Sequence, residues 1–141
     1  MFLDASAIIA ILASAPSAGG LLATLDVPGR RIFSSPVARL AAAQEIADRL
    51  RRSRAGEVAT AEDLAAAEDL VDRLLELVGA RDVHITEGIG REARIIAAKY
   101  SAVVGHPAKL SLEDCLAAAC ARAYRVRLVH DADRFTLSNL E

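Results

Sequence analysis

The sequence predicts an α/β fold in which a mostly parallel sheet carries helices on both faces, and three observations predict it. Short apolar stretches ("MFL", "RRIFS", "DVHIT", "VRLVH") alternate with longer segments whose apolar residues recur at helical spacing, and strand–helix alternation is the pattern of a parallel sheet. Hydrophobic residues make up 53% of the chain but aromatics only 4%, so the core must be built from Ala, Leu, Val and Ile. With 141 residues, the chain suits one domain with a sizeable core and shows no repeat, low-complexity tract or linker.

The elements follow in order. "MFL" is a strand ending at Asp4, and "ASAIIAILA" is a helix that "SAPSAGG" breaks. "LLATLDV" is a short helix and "PGR" a turn. "RRIFS" is the second strand. Ser35 then offers an N-cap and Pro36 fits the first helical position, opening a helix through Arg54 that Gly56 ends. Thr60 to Glu62 starts another, with Leu64, Val71, Leu74, Leu75 and Val78 on one face and Gly79 as its stop. "DVHIT" alternates as a strand. Thr86 caps a helix whose apolar face is Ile89, Ala93, Ile96, Ala97 and Tyr100. "GHPAKL" is a loop, Ser111 caps the last long helix, and "VRLVH" is the final strand.

Composition excludes several classes. No apolar stretch approaches the roughly 18–20 residues of a membrane span. Asp4 interrupts the apolar start, which has no basic residues before it, so no signal peptide is expected and the chain reads as cytoplasmic. The charge is −2, from 17 basic and 19 acidic residues, so contact with nucleic acid must come from a local patch. Cys115 and Cys120 lie five apart on a helix, which is neither a metal spacing nor a disulfide framework. Buried, reduced thiols are the better reading.

The chemistry lies with the acids. An unpaired carboxylate buried in a core costs several kcal/mol or stays protonated, so Asp4 belongs at the end of a buried strand, where water, a metal or a hydrogen bond reaches it. Ligands of parallel sheets gather outside the carboxyl ends of the strands, and Asp131 and Asp133 follow the last strand in "VHDADRF". Asp114 lies three residues after Ser111 in "SLEDC". That spacing resembles a capping box and favours a cap on local grounds, though a cap that the helix dipole keeps ionised is also ready to hold a cation. Asp4, Asp114 and Asp133 together would need a counter-charge. Hard divalent cations take oxygen ligands, and Mg²⁺ typically uses one or two carboxylates plus waters and a substrate phosphate.

"MFLDASAIIAIL", "SSPVARL", "GHPAKLSLEDCLAAACARAYRV" and "LVHDADRF" together resemble the PIN-domain family, and within it the VapC-type toxins of bacterial toxin–antitoxin pairs. The stretch "HPAKLSLEDC" is the most specific part, and the likeness runs to about Leu140. The resemblance implies a single PIN-like domain over 1–141 with a sheet of four or five strands. It also implies an endoribonuclease dependent on Mg²⁺ or Mn²⁺, a homodimer, and neutralisation by a VapB-type antitoxin through which alone DNA would be bound. On that likeness Asp4 matches the first family acid and Asp114 the third. Asp133 is chosen as the fourth, with Asp131 as the alternative. Ser6 matches the hydroxyl residue after the first acid, where it could orient a water or phosphate, and Ser111 stands where relatives often carry Asn.

The chain departs from the pattern at one place. The family's second acid is a glutamate in "SPxxxxE", and "SSPVARLAAAQEIA" puts Ala41 there. Glu45, one turn further along the same face, could reach back, or be an ordinary solvated helix charge. An engineered knockout is a third account. The competing function is therefore a catalytically dead PIN-like domain that binds a partner and regulates its operon. Arg49, Arg51, Arg52 and Arg54 could track RNA, but cations at a helix C-terminus are the blander and preferred reading. His84, His106 and His130 show no ligand spacing. A haloacid-dehalogenase-like phosphatase would need a second acid where Ser6 stands, and a receiver domain an acidic pair near the first strand.

Overall fold

Successive side chains of a strand point to opposite faces, and in β1 (Phe2–Leu3) both are fully buried. Phe2 joins one apolar cluster and Leu3 another, with Met1 on the side of Leu3. β1 is thus an interior strand with helices on both faces. The computed structural model describes residues 1–140 and places β1 beside β2 (Phe33–Ser34) and β4 (Leu128–Val129), with β3 (Arg81–Asp82) beyond β2. All pairings are parallel, in the order β3-β2-β1-β4, with Phe2 level with both Phe33 and Leu128. The expected parallel sheet flanked by helices is borne out, with four strands.

On the Leu3 face pack α1 (Ala5–Leu12), α3 (Pro36–Ser53) and α4 (Ala61–Leu77), through Ile8, Ala42, Ile46, Val71 and Leu75. α2 (Ala18–Leu25) closes that side with Leu25. On the Phe2 face lie α5 (Glu87–Tyr100), α6 (Leu112–Ala123) and α7 (Asp133–Ser138), through Ile96, Ala119, Cys120 and Phe135. Alanines fill many of the other buried positions in both clusters, as the aromatic-poor composition requires. No helix among the described residues is long and apolar enough to cross a membrane.

The caps follow the sequence. The Ser35 hydroxyl accepts from Ala38 N–H at 3.1 Å with Pro36 at the first helical position, and Thr86 caps α5. Thr60 and Asp63 form a reciprocal capping box at α4. The Arg54 guanidinium beside Asp63, helped by the Thr60 N–H, holds that carboxyl down at about 2 and ties α3 to α4.

Three expectations are corrected. Ala55, at φ 55°, takes the left-handed position that ends α3, in place of Gly56. Gly56 instead lies against Arg54, where a Cβ would stand 2.7 Å from the guanidinium. The strand expected over "DVHIT" is found at Arg81–Asp82. It is the sheet's edge and pairs only with β2, so the chain turns away after Val83 donates to the Ser34 carbonyl at 2.9 Å. α7 is not among the expected elements, because its six residues start without a side-chain cap; the fully buried Phe135 holds it down.

Because Phe2 and Leu3 face separate clusters, truncating either opens a separate cavity. Phe2→Ala is expected to cost about 3–5 kcal/mol and Leu3→Ala about 2–5 kcal/mol, read as a lower midpoint in urea unfolding.

Candidate functional site

The sheet delivers Asp4 to its carboxyl edge. The Asp4 N–H extends the ladder to the Val129 carbonyl at 3.0 Å, and its side chain then caps α1. Oδ2 accepts from the Ser6 N–H at 2.9 Å and the Ser6 hydroxyl at 2.6 Å. That hydroxyl accepts in turn from the Asp131 N–H at 3.0 Å, so Ser6 joins the start of α1 to the loop after β4.

Asp114 reaches the same edge from α6. It forms a capping box with Ser111: the Ser111 N–H donates to Oδ2 at 2.9 Å and the Ser111 hydroxyl accepts from the Asp114 N–H at 3.2 Å. Arg134, from α7, donates its Nε to the same Oδ2 at 2.7 Å. Its guanidinium carbon lies 5.6 Å from the Phe135 ring centre. Asp114 Oδ1 accepts no hydrogen bond from the described residues.

Asp4 and Asp114 are each 2% exposed. Burial pushes the Asp4 carboxyl above its usual range and the Asp114 charge adds to this, while the Ser6 hydrogen bonds oppose it. Burial alone would lower the Arg134 guanidinium, but its bond to Asp114 and the charges of Asp114, Asp4 and Glu113 raise it. Two acids therefore share one poorly solvated place, and one arginine answers them.

In front of this pair opens a cleft of about 600 Å³, with Ser6, Ala41, Glu45, Asp114, Asp131 and Arg134 in its wall. Asp4 is not itself on the wall but is hydrogen-bonded to Ser6, which is. Asp131, in the bend after β4, is on the wall; Asp133, chosen over it on sequence, is not. The loop turns between them, and Asp133 becomes the exposed first residue of α7. Ala41 sets a methyl group on the wall. Glu45 is also there, but its Oε1 accepts from Arg49 at 3.0 Å and Arg52 at 3.1 Å. Among the described residues, no three His, Cys, Asp or Glu side chains are gathered to hold a metal as they stand.

Other sequence candidates find structural partners. Arg51 pairs with Asp48, and Arg54 with Asp63. His130 Nδ1 accepts from Ala132 N–H at 3.3 Å, and His106 Nδ1 from Ala108 N–H at 3.1 Å. Both cysteines are free and buried, which raises Cys115 and pushes Cys120 to about 11, away from reactivity. Sequence reasoning missed Arg134, Gln44 and Glu113, all on the cleft wall. Only Arg134 had a usable signal: it lies in "DADRF", beside the acids already singled out.

Two buried carboxylates at the carboxyl edge of a parallel sheet, with the Asp114 Oδ1 free of protein donors, form a site suited to hard cations and phosphate esters. The chain belongs to the PIN-domain family, since the family model for the PIN domain matches residues 1–136. It is 30% identical over 139 residues to a VapC ribonuclease of Rhizobium meliloti (strain 1021), covering 99% of this chain and 98% of that relative. That likeness places it with the VapC-type members of the family.

Because its folded carboxyl is raised, Asp4 keeps a proton that the unfolded chain has already lost, so its contribution to stability falls as pH rises above the usual carboxylate range. Asp4→Asn retains an acceptor for Ser6 without the charge facing Asp114. In chelator at pH 7 it should melt higher than the parent protein. The gain should vanish as pH drops to about 4, which melting curves across pH will show.

Proposed function

We propose that this protein is a metal-dependent endoribonuclease toxin: a single PIN-like domain, acting in the cytoplasm as a homodimer and neutralised by a VapB-type antitoxin that supplies any contact with DNA. The observation that carries the reading is the buried Asp4–Asp114 pair at the sheet's carboxyl edge, in a chain of this family. Metal dependence is supported by the donor set. Asp114 Oδ1 is free of protein donors, Asp4 lies close enough to feel the Asp114 charge, and two carboxylates are what Mg²⁺ or Mn²⁺ commonly takes from a protein. When bound, such an ion supplies positive charge against a phosphodiester and acidifies water.

In this reading the chain's own residues hold and orient. Ser6 fixes the Asp4 carboxylate and is itself saturated as a donor, so it positions Asp4 and leaves the substrate to other groups. Ser111 fixes Asp114 through its backbone N–H, while its hydroxyl accepts from the Asp114 N–H. Asp131 is the fourth acid in preference to Asp133, because it alone of the two is on the cleft wall. Arg134 balances the pair until a cation enters. Glu45, engaged by two arginines, is a wall charge and not the missing ligand.

Ala41 supports a second reading, the catalytically dead partner-binding domain, because a methyl group occupies the wall where the family pattern has a carboxylate. The two readings separate on one variant. Ala41→Glu should tighten Mn²⁺ binding by about tenfold, the equivalent of about 1.4 kcal/mol, and raise RNA cleavage in Mg²⁺ or Mn²⁺, with Asp4→Asn as the blank. No cleavage even with glutamate restored would favour the dead domain.

Arg134→Gln tests the counter-charge. It leaves the buried Asp114 carboxylate without its cation, so the metal-free protein should lose about 1–2 kcal/mol, discounted for the partial exposure of the arginine. Titration calorimetry should show Mn²⁺ binding severalfold tighter, because no side-chain cation must yield to it. Equal affinity in both proteins would remove Arg134 from this role.

A further inference from the structure

Without a bound cation, the cleft does not attract a polyanion. Glu45, Asp48, Glu113 and Asp131 line it besides Asp114, against Arg49 and Arg134, which are both already paired to carboxylates. A chain of charge −2 that acts on RNA needs its attraction elsewhere.

The opposite end of the strands supplies it. Two adjoining grooves of about 530 and 380 Å³ run along the amino edge of the sheet, sharing Arg30, Arg31 and Phe33. Arg81, at the start of β3, lines one, and Arg127, just before β4, lines the other. No acidic residue lines either groove. All four arginines are exposed, and none has a carboxylate partner among the described residues. Most of the other arginines are held in ion pairs; Arg94 and Arg125 are the exceptions, and Arg125 lies in the turn beside this edge. With strands about 4.8 Å apart, the row from β3 to β4 spans about 14 Å. Phe33, shared by the two grooves, and Tyr124, in the wall of the smaller one, lie with ring centres 5.1 Å apart, and Tyr124 is 40% exposed.

We propose that this amino edge is a second RNA-binding surface, at which Arg31, Arg81 and Arg127 hold backbone phosphates and the Phe33–Tyr124 pair stacks a base. The proposal rests on the ribonuclease reading for the identity of the strand. Guanidinium groups suit phosphate oxygens and flat bases alike, and cations tracking a backbone beside an aromatic platform make up the usual chemistry of single-strand binding. An acidic protein segment would answer the arginines but leave the exposed ring without a partner. Separating the two surfaces also keeps unpaired arginines away from the carboxylates of the cleft.

The test is fluorescence anisotropy with a labelled single-stranded RNA of about 20 nucleotides in EDTA, with salt varied from about 50 to 200 mM. The combined variant Arg31→Ser, Arg81→Ser, Arg127→Ser should bind at least about tenfold more weakly, and the slope of log K against log salt should shrink by about 2, at roughly 0.7 for each phosphate no longer neutralised. The matching Arg→Lys variant should keep the slope, and Arg94→Ser should change nothing. Tyr124→Ala should weaken binding severalfold with the slope intact. Unchanged affinity and slope in the triple serine variant would overturn the proposal. So would an equal loss of binding to polyglutamate, which would make the edge a surface for acidic proteins. No cleavage takes place in EDTA, so these shifts in a protein that proves inactive with Mg²⁺ or Mn²⁺ would uphold the edge while removing the nuclease reading.

Discussion

Two carboxylates held in one dry place govern this structure. Asp4 and Asp114 come from distant parts of the chain, yet both are almost wholly buried, and the Asp114 charge adds to the cost that burial puts on ionising Asp4. The fold meets that cost with dipoles and one cation. Asp4 caps α1 and Asp114 stands in the first turn of α6, so two helix amino ends, each equivalent to about half a positive charge, face the pair. Backbone N–H groups of Ser6 and Ser111 are aimed at the oxygens, and Arg134 closes the balance from α7. Parallel strands are needed for this, because only a parallel sheet brings the ends of β1 and β4 and the helices that follow them to one edge.

The same arrangement explains why the shortest elements are the most constrained. β1 has two residues, but each belongs to a different cluster, and the next residue is Asp4. A slip of one residue would exchange the clusters and move the carboxylate into apolar contacts. Position along the strand and chemistry at its end are therefore one constraint.

That coupling is why so much was legible in the sequence. An aspartate interrupting an apolar run has few places to go in a parallel sheet, and Ser35–Pro36, Thr60, Thr86 and Ser111 mark helix starts through bonds made within a few residues. Less legible was whatever depends on distant partners. The extent of β3 is set by pairing with β2 alone, so the alternation of "DVHIT" misled. Asp131 and Asp133 differ by two residues, and only the turn between β4 and α7 decides which meets the cleft. Arg134 is an ordinary surface arginine until the fold sets it beside Asp114. The amino-edge arginines are scattered along the chain, and they form a row only because the strand order β3-β2-β1-β4 aligns their flanks.

Strand direction thus also sorts charge. Helix amino ends and buried acids collect at the carboxyl edge, where a positive dipole field is already present and a further fixed cation would weaken the attraction for a metal ion. At the amino edge that field is absent and the strands begin in exposed chain, so arginines can stay unpaired in water at little cost. On the proposed reading, a nuclease that must hold a divalent cation and a polyanion faces a conflict: carboxylates that attract the one repel the other. Placing the two attractions at opposite ends of the same strands eases it, because the attraction or repulsion between exposed charges weakens with their separation and with salt. The negative cleft and the positive edge are then two consequences of building the site on a single parallel sheet.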